Sequence, residues 1–134
     1  MRIFLIIIFL GCSYISSAQV NLYNLKVTEV INNEGDVEDL GIEFMVSDVN
    51  QINSVVITLN LDGEKVDDYI FIKNVIDNNL VLVRDENTSF FDGHQITILL
   101  VGKNEILPTY DKLQLSAVTI DGKQSNTLTF RLTE

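Results

Sequence analysis

The sequence predicts an all-β fold, an antiparallel β-sandwich of about seven to nine strands behind an N-terminal signal peptide. Three observations carry this. Apolar residues alternate with polar ones at period two in several segments. Clusters of Asn, Asp and Gly separate those segments at short intervals. No segment holds the 3.6-residue period of an amphipathic helix.

Residues 1–18 read as the leader. Arg2 is their only charge, an apolar run covers residues 3–10, and small residues stand three and one before the expected cut, at Ser16 and Ala18. The run is far shorter than the ~20 residues a membrane-spanning helix needs. Cleavage after Ala18 would make Gln19 the mature N-terminus and leave no transmembrane anchor. A second route exists: Leu10-Gly11-Cys12 resembles the end of a bacterial lipoprotein signal, where Cys12 would carry a lipid anchor. The competing structural reading of residues 3–10 is a buried N-terminal strand.

The remaining residues, 19–134, make one domain of 116 residues once the 18-residue leader is subtracted from 134. Cys12 is the sole cysteine, so this part has no disulfide and holds together by packing. Without Arg2 the domain keeps 8 basic against 19 acidic side chains, a net charge of −11. The acid is spread along the chain, as on a solvated surface. This balance argues against nucleic acid and against anionic lipid, both of which call for basic patches.

Period-two alternation places Leu40, Ile42, Phe44 and Val46 on one face of a strand. It does the same for Val55, Ile57, Leu59 and Leu61, and for Leu128, Phe130 and Leu132. Residues 69–72, 80–83 and 96–101 are apolar on both faces, which suits strands covered on both sides or strands facing a partner. Residues 22–31 and 113–120 complete the set. Turns are expected at residues 32–36, 62–63, 77–79, 92–93, 102–104 and 121–122, where Asn, Asp and Gly tolerate positive φ. A sandwich follows first and a small barrel second. The strand edges carry no obvious guard of proline or lysine.

Two segments resemble bacterial immunoglobulin-like and fibronectin type III-like modules. One is Phe44-Met45-Val46-Ser47-Asp48 followed by Ile52-Asn53-Ser54-Val55 and, later, Asp62-Gly63. The other runs from Leu115-Ser116-Ala117-Val118-Thr119 through Asp121-Gly122 to Ser125-Asn126 and the alternating residues 127–132. The likeness covers about a third of the domain. It departs from the family in having no tryptophan, and in Tyr110 standing one residue out of phase with the expected tyrosine. The resemblance implies an immunoglobulin-like sandwich with an adhesive, accessory or spacer role, and no catalytic residues.

The chemistry on offer is sparse. His94 is the sole histidine and follows Asp92-Gly93, so a triad would need a serine such as Ser47, Ser54, Ser89, Ser116 or Ser125 beside it, and no nucleophile-elbow motif is present. One histidine is too few for zinc. The acidic groups Glu34/Asp36/Glu38/Asp39, Asp62/Glu64/Asp67/Asp68 and Asp85/Glu86/Asp92 offer hard oxygen ligands for loop-bound calcium, but match no EF-hand loop and read as solvated acid. Asn87-Thr88-Ser89 fits an N-glycosylation acceptor, a chance match if the source is bacterial, as the leader suggests. Phe90-Phe91 is the aromatic pair that stands out, because neighbours on a strand face opposite ways. With His94, these form the candidate partner-binding residues.

The expected function is a non-enzymatic interaction module, secreted or envelope-associated (periplasmic, outer-surface or extracellular), that binds a protein partner and needs no cofactor. The alternative is a carbohydrate-binding or adhesive accessory domain, which would show clustered exposed aromatics. A small hydrolase comes third.

Overall fold

A computed structural model of the chain describes residues 20–84, 87–102 and 106–132; the side chains of Asn87, Thr88 and Phe90 stand outside that description. The leader expected at residues 1–18, Cys12 included, lies outside the described residues, as do Asp85, Glu86 and residues 103–104 of one predicted turn.

Among the described residues nine strands form: β1 (Leu22–Ile31), β2 (Val37–Val46), β3 (Ile52–Leu61), β4 (Glu64–Ile76), β5 (Asn79–Arg84), β6 (Asn87–Asp92), β7 (Gln95–Val101), β8 (Lys112–Thr119) and β9 (Leu128–Arg131). All pair antiparallel, in the order β1-β2-β7-β6-β5-β4-β3-β8-β9. They divide into a four-strand sheet, β1-β2-β7-β6, and a five-strand sheet, β5-β4-β3-β8-β9, packed as a sandwich. The β5–β6 pairing runs from one sheet to the other. A 3-10 turn (Val49–Gln51), N-capped by the Asp48 carboxylate, carries the chain from β2 across to β3. Residues 106–111, of the segment that crosses back from β7 to β8, lead into β8.

Alternation sets the core. Leu40, Ile42, Phe44 and Val46 on β2 and Ile96, Ile98 and Leu100 on β7 point inward from one sheet. Val55, Ile57 and Leu59 on β3, Phe71 on β4, and Leu113, Leu115 and Ala117 on β8 meet them from the other. Burying side chains of this size contributes about 1.5–3 kcal/mol each before the entropy cost of ordering the chain.

Turn chemistry fits the hairpins. Asp62 and Gly63 take φ values of 54° and 83° between β3 and β4, and Asp77 and Asn78 take 52° and 67° between β4 and β5. Two consecutive positive-φ residues make the tight turn whose twist matches flanking strands.

The outer edge of β1, and β8 where it runs on beyond β9, are bonded by loop side chains. Asn126 accepts from Leu22 N (2.7 Å) and donates to Leu22 O (2.9 Å), so its amide stands where a neighbouring strand would. Ser125 accepts at Oγ from Ala117 N (2.8 Å), and Ser125 N donates to Ala117 O (2.9 Å), continuing the β8 ladder beyond the four residues of β9.

Candidate binding surface

β4 is the longest of the described strands, at 13 residues. Its inward residues Tyr69 and Phe71 are buried, whereas Ile70 and Ile72 face out at 52% and 55% exposure. The register extends this face sideways. Ile70 lies beside Val56, which lies beside Ser116. Ile72 lies between Val83 and Ser54, with Val118 beyond. These two rows run over three and four strands of the five-strand sheet without a charged side chain, in a chain where 21% of residues are charged. The next row is framed by Asp68, which is paired with Lys65 at 2.9 Å. A flat, uncharged, β-branched area with charge at its border has the layout of a contact surface.

Beyond Ile72, β4 has no partner in β3 and continues only with β5. The hairpin tip exposes Val75 and Ile76. On the opposite sheet Leu99 is half-exposed but stands beside Gly41, without apolar company in its row. Of the strands read as apolar on both faces, residues 69–72 and 96–101 are therefore covered on one face only.

Of the residues singled out from the sequence, Phe91 and His94 belong to the other sheet. Phe91 is half-buried, pairs with Ile96 and packs against the core. Phe90 pairs with Val81 through its backbone, and its side chain lies outside the described part. His94 occupies the β6–β7 turn; its Nδ1 is 3.0 Å from Val46 O, and its carbonyl accepts from Val46 N at 2.9 Å. The imidazole is thus tied to backbone, not to a serine or a carboxylate. Among the described aromatic side chains only Tyr23 is exposed. Among the described residues no group of three or more His, Cys, Asp or Glu side chains is set to hold a metal ion.

Two buried phenols have carboxylate partners. Tyr110 donates to Glu29 Oε2 at 2.8 Å, tying the crossing segment to β1. Burial, then the Glu29 carboxylate, raises its pKa well above the ordinary value of 10. Burial, then hydrogen bonding to Asp67, raises Tyr69 likewise, and the Arg84 guanidinium lies 4.8 Å over its ring. At the β8–β9 loop, the Thr119 hydroxyl bonded to Asp121 lowers that carboxyl's pKa. Each arrangement ties strands or turns together, and none presents a nucleophile to a cleft.

No protein-family model matches the chain, and neither a curated protein nor a solved structure matches it.

Proposed function

We propose that this chain is a non-enzymatic protein-binding module of immunoglobulin-type topology, exported to the bacterial envelope or medium. The observation that carries the reading is the uncharged stretch of the β4 outer face beyond Asp68, where Ile70 and Ile72 stay half-exposed. Isoleucine in this setting is stabilised by cover, and a partner burying both would gain about 1–2 kcal/mol from each. The strand order supports the topology: β1, β2, β7 and β6 correspond to A, B, E and D, and β9, β8, β3, β4 and β5 to G, F, C, C′ and C″ of a variable-type sandwich. Tyr110 at the β7–β8 corner supports it further, although its hydroxyl bonds the Glu29 carboxylate rather than backbone. The acidic balance favours a partner with basic groups around an apolar centre.

The test is affinity capture from envelope and medium fractions with the tagged chain, run beside an Ile70→Asp/Ile72→Asp double variant. A near-stoichiometric protein held by the native chain and lost by the variant is expected. Capture of glycan alone, or of no specific protein, overturns the reading.

A further inference from the structure

We infer that the free edge of β4 is a strand-addition site for an extended peptide segment of a partner protein, apolar in alternation and carrying a basic side chain. This rests on the protein-binding reading and specifies where and how binding occurs.

The pairing pattern leaves the edge open. β4 pairs with β3 over residues 64–72, but with β5 only from Ile72 to Ile76. Among the described residues, those at 64–71 therefore have a paired strand on one side only. The two-residue turn at Asp77 and Asn78 makes Ile76 and Asn79 the closing hydrogen-bonded pair. Alternation then directs the N–H and C=O of Asn74 and Ile72 toward β5, and those of Ile70 and Asp68 toward the open side. One contact agrees with this: Asp68 N bonds not to a strand but to the Asp67 carboxylate, at 2.9 Å. Among the described residues no backbone group bonds to this edge outside the β3 ladder.

Beside the edge lies a hollow of about 540 Å³, lined by Val66, Asp67 and Tyr69 on β4 and by Ile106, Pro108 and Thr109 of the crossing segment. Its walls are mainly apolar, and Val66 and Ile106 are exposed within it. An added strand lies about 4.8 Å from its neighbour and rises about 3.3 Å per residue, so the seven residues 64–70 would seat about 20 Å of peptide. Main-chain hydrogen bonds would supply affinity, and alternate side chains would enter the hollow.

Charge selects the occupant. Among the described residues lining the hollow Asp67 is the sole charged one; Glu64 and Asp68 flank it, Lys65 is paired with Asp68, and the Arg84 guanidinium lies over the Tyr69 ring at the β5 end, so the excess charge along residues 64–68 is acidic. A second copy of this chain pairing β4 to β4 would set these carboxylates against one another, which is destabilising across strands. A segment with lysine or arginine opposite Asp67 meets the opposite situation.

The test selects random decapeptides displayed on phage against the full chain, with an Asp68→Pro variant as counter-selection. Proline is tolerated at an edge position whose N–H points outward, and it blocks an incoming strand. Enriched peptides are expected to alternate β-branched residues with a lysine or arginine. They should slow exchange of the Ile70 amide at least tenfold and lose binding when their alternate amides are N-methylated. A Val66→Asp variant, which leaves the backbone unchanged, should weaken the same peptides at least tenfold. No peptide preferring the native chain over Asp68→Pro, or binders that leave the Ile70 amide unprotected, overturns the inference. A captured partner released by Ile70→Asp/Ile72→Asp but not by Asp68→Pro also overturns it, while the protein-binding reading stands.

Discussion

Replacing Asn126 with alanine tests how the sandwich is closed. The amide of Asn126 forms two hydrogen bonds to one residue, at 2.7 Å to Leu22 N and 2.9 Å to Leu22 O. The side chains beside them, Val20 and Leu22, are almost completely buried, so water has poor access to the groups the variant would orphan. Losing a partner costs about 1 kcal/mol net, rising to about 3 kcal/mol where the group left behind stays dry. For two groups at a partly buried edge, Asn126→Ala should cost about 2–3 kcal/mol. With an unfolding entropy typical of a domain this size, that lowers Tm by about 8–12 °C. Asn126→Asp retains an acceptor for Leu22 N but loses the donor to Leu22 O, so it should lose at least half as much. Thermal and urea unfolding give the energies, and hydrogen exchange at Leu22 gives the location. An alanine variant within 0.5 kcal/mol of the native chain, or an unchanged Leu22 amide, would refute edge closure by this side chain.

Two further outcomes follow from the crossing segment and the buried phenols. A Cβ built on Gly102 would lie 2.6 Å from Ile106 C and O, so Gly102→Ala should displace residues 106–109 and cost about 1–3 kcal/mol in urea unfolding; an unchanged midpoint would count against that approach. Tyr69 and Tyr110 have folded-state pKa values raised above that of the unfolded chain, so their contribution is complete below about pH 10 and is lost as pH rises from there toward the folded-state values. Tyr110→Phe should cost about 1 kcal/mol at pH 7 and flatten the fall in stability between pH 9 and 11; a native-like slope in the variant would contradict this.

Much of the fold was legible because alternation is local. The inward sets on β2 and β3 and the turns at 62–63, 77–79, 92–93 and 121–122 lie where the residues alone predict them. Which faces are covered is a different matter. Residues 69–72 and 96–101 read as strands because of their composition, but no local signal says whether a second layer lies over Ile70, Ile72 or Leu99. The open edge of β4 was equally illegible, since it arises from unequal pairing: 13 residues of β4 against 6 of β5. Edge protection escaped too. The sequence shows no guard of proline or lysine, and the guards turn out to be Ser125 and Asn126, polar residues in a loop whose strand-like role depends on where β1 and β8 pass. Of the candidate surface, residues 69–72 were legible as a strand apolar on both faces, with a second layer or a partner equally able to cover it. Val66 and Ile106 were not, because they lie 40 positions apart in sequence and meet only where the chain crosses between the sheets.

The most direct test of the central claim is the binding of the captured partner to the native chain and to Ile70→Asp/Ile72→Asp, measured by calorimetry with Tm recorded for both. Both side chains are half-exposed and point away from the core, so Tm should shift by no more than about 2 °C. Affinity should fall at least a hundredfold, because two aspartates would enter an uncharged contact. Unchanged affinity at unchanged Tm would contradict the claim that the outer face of β4 is where this protein meets its partner.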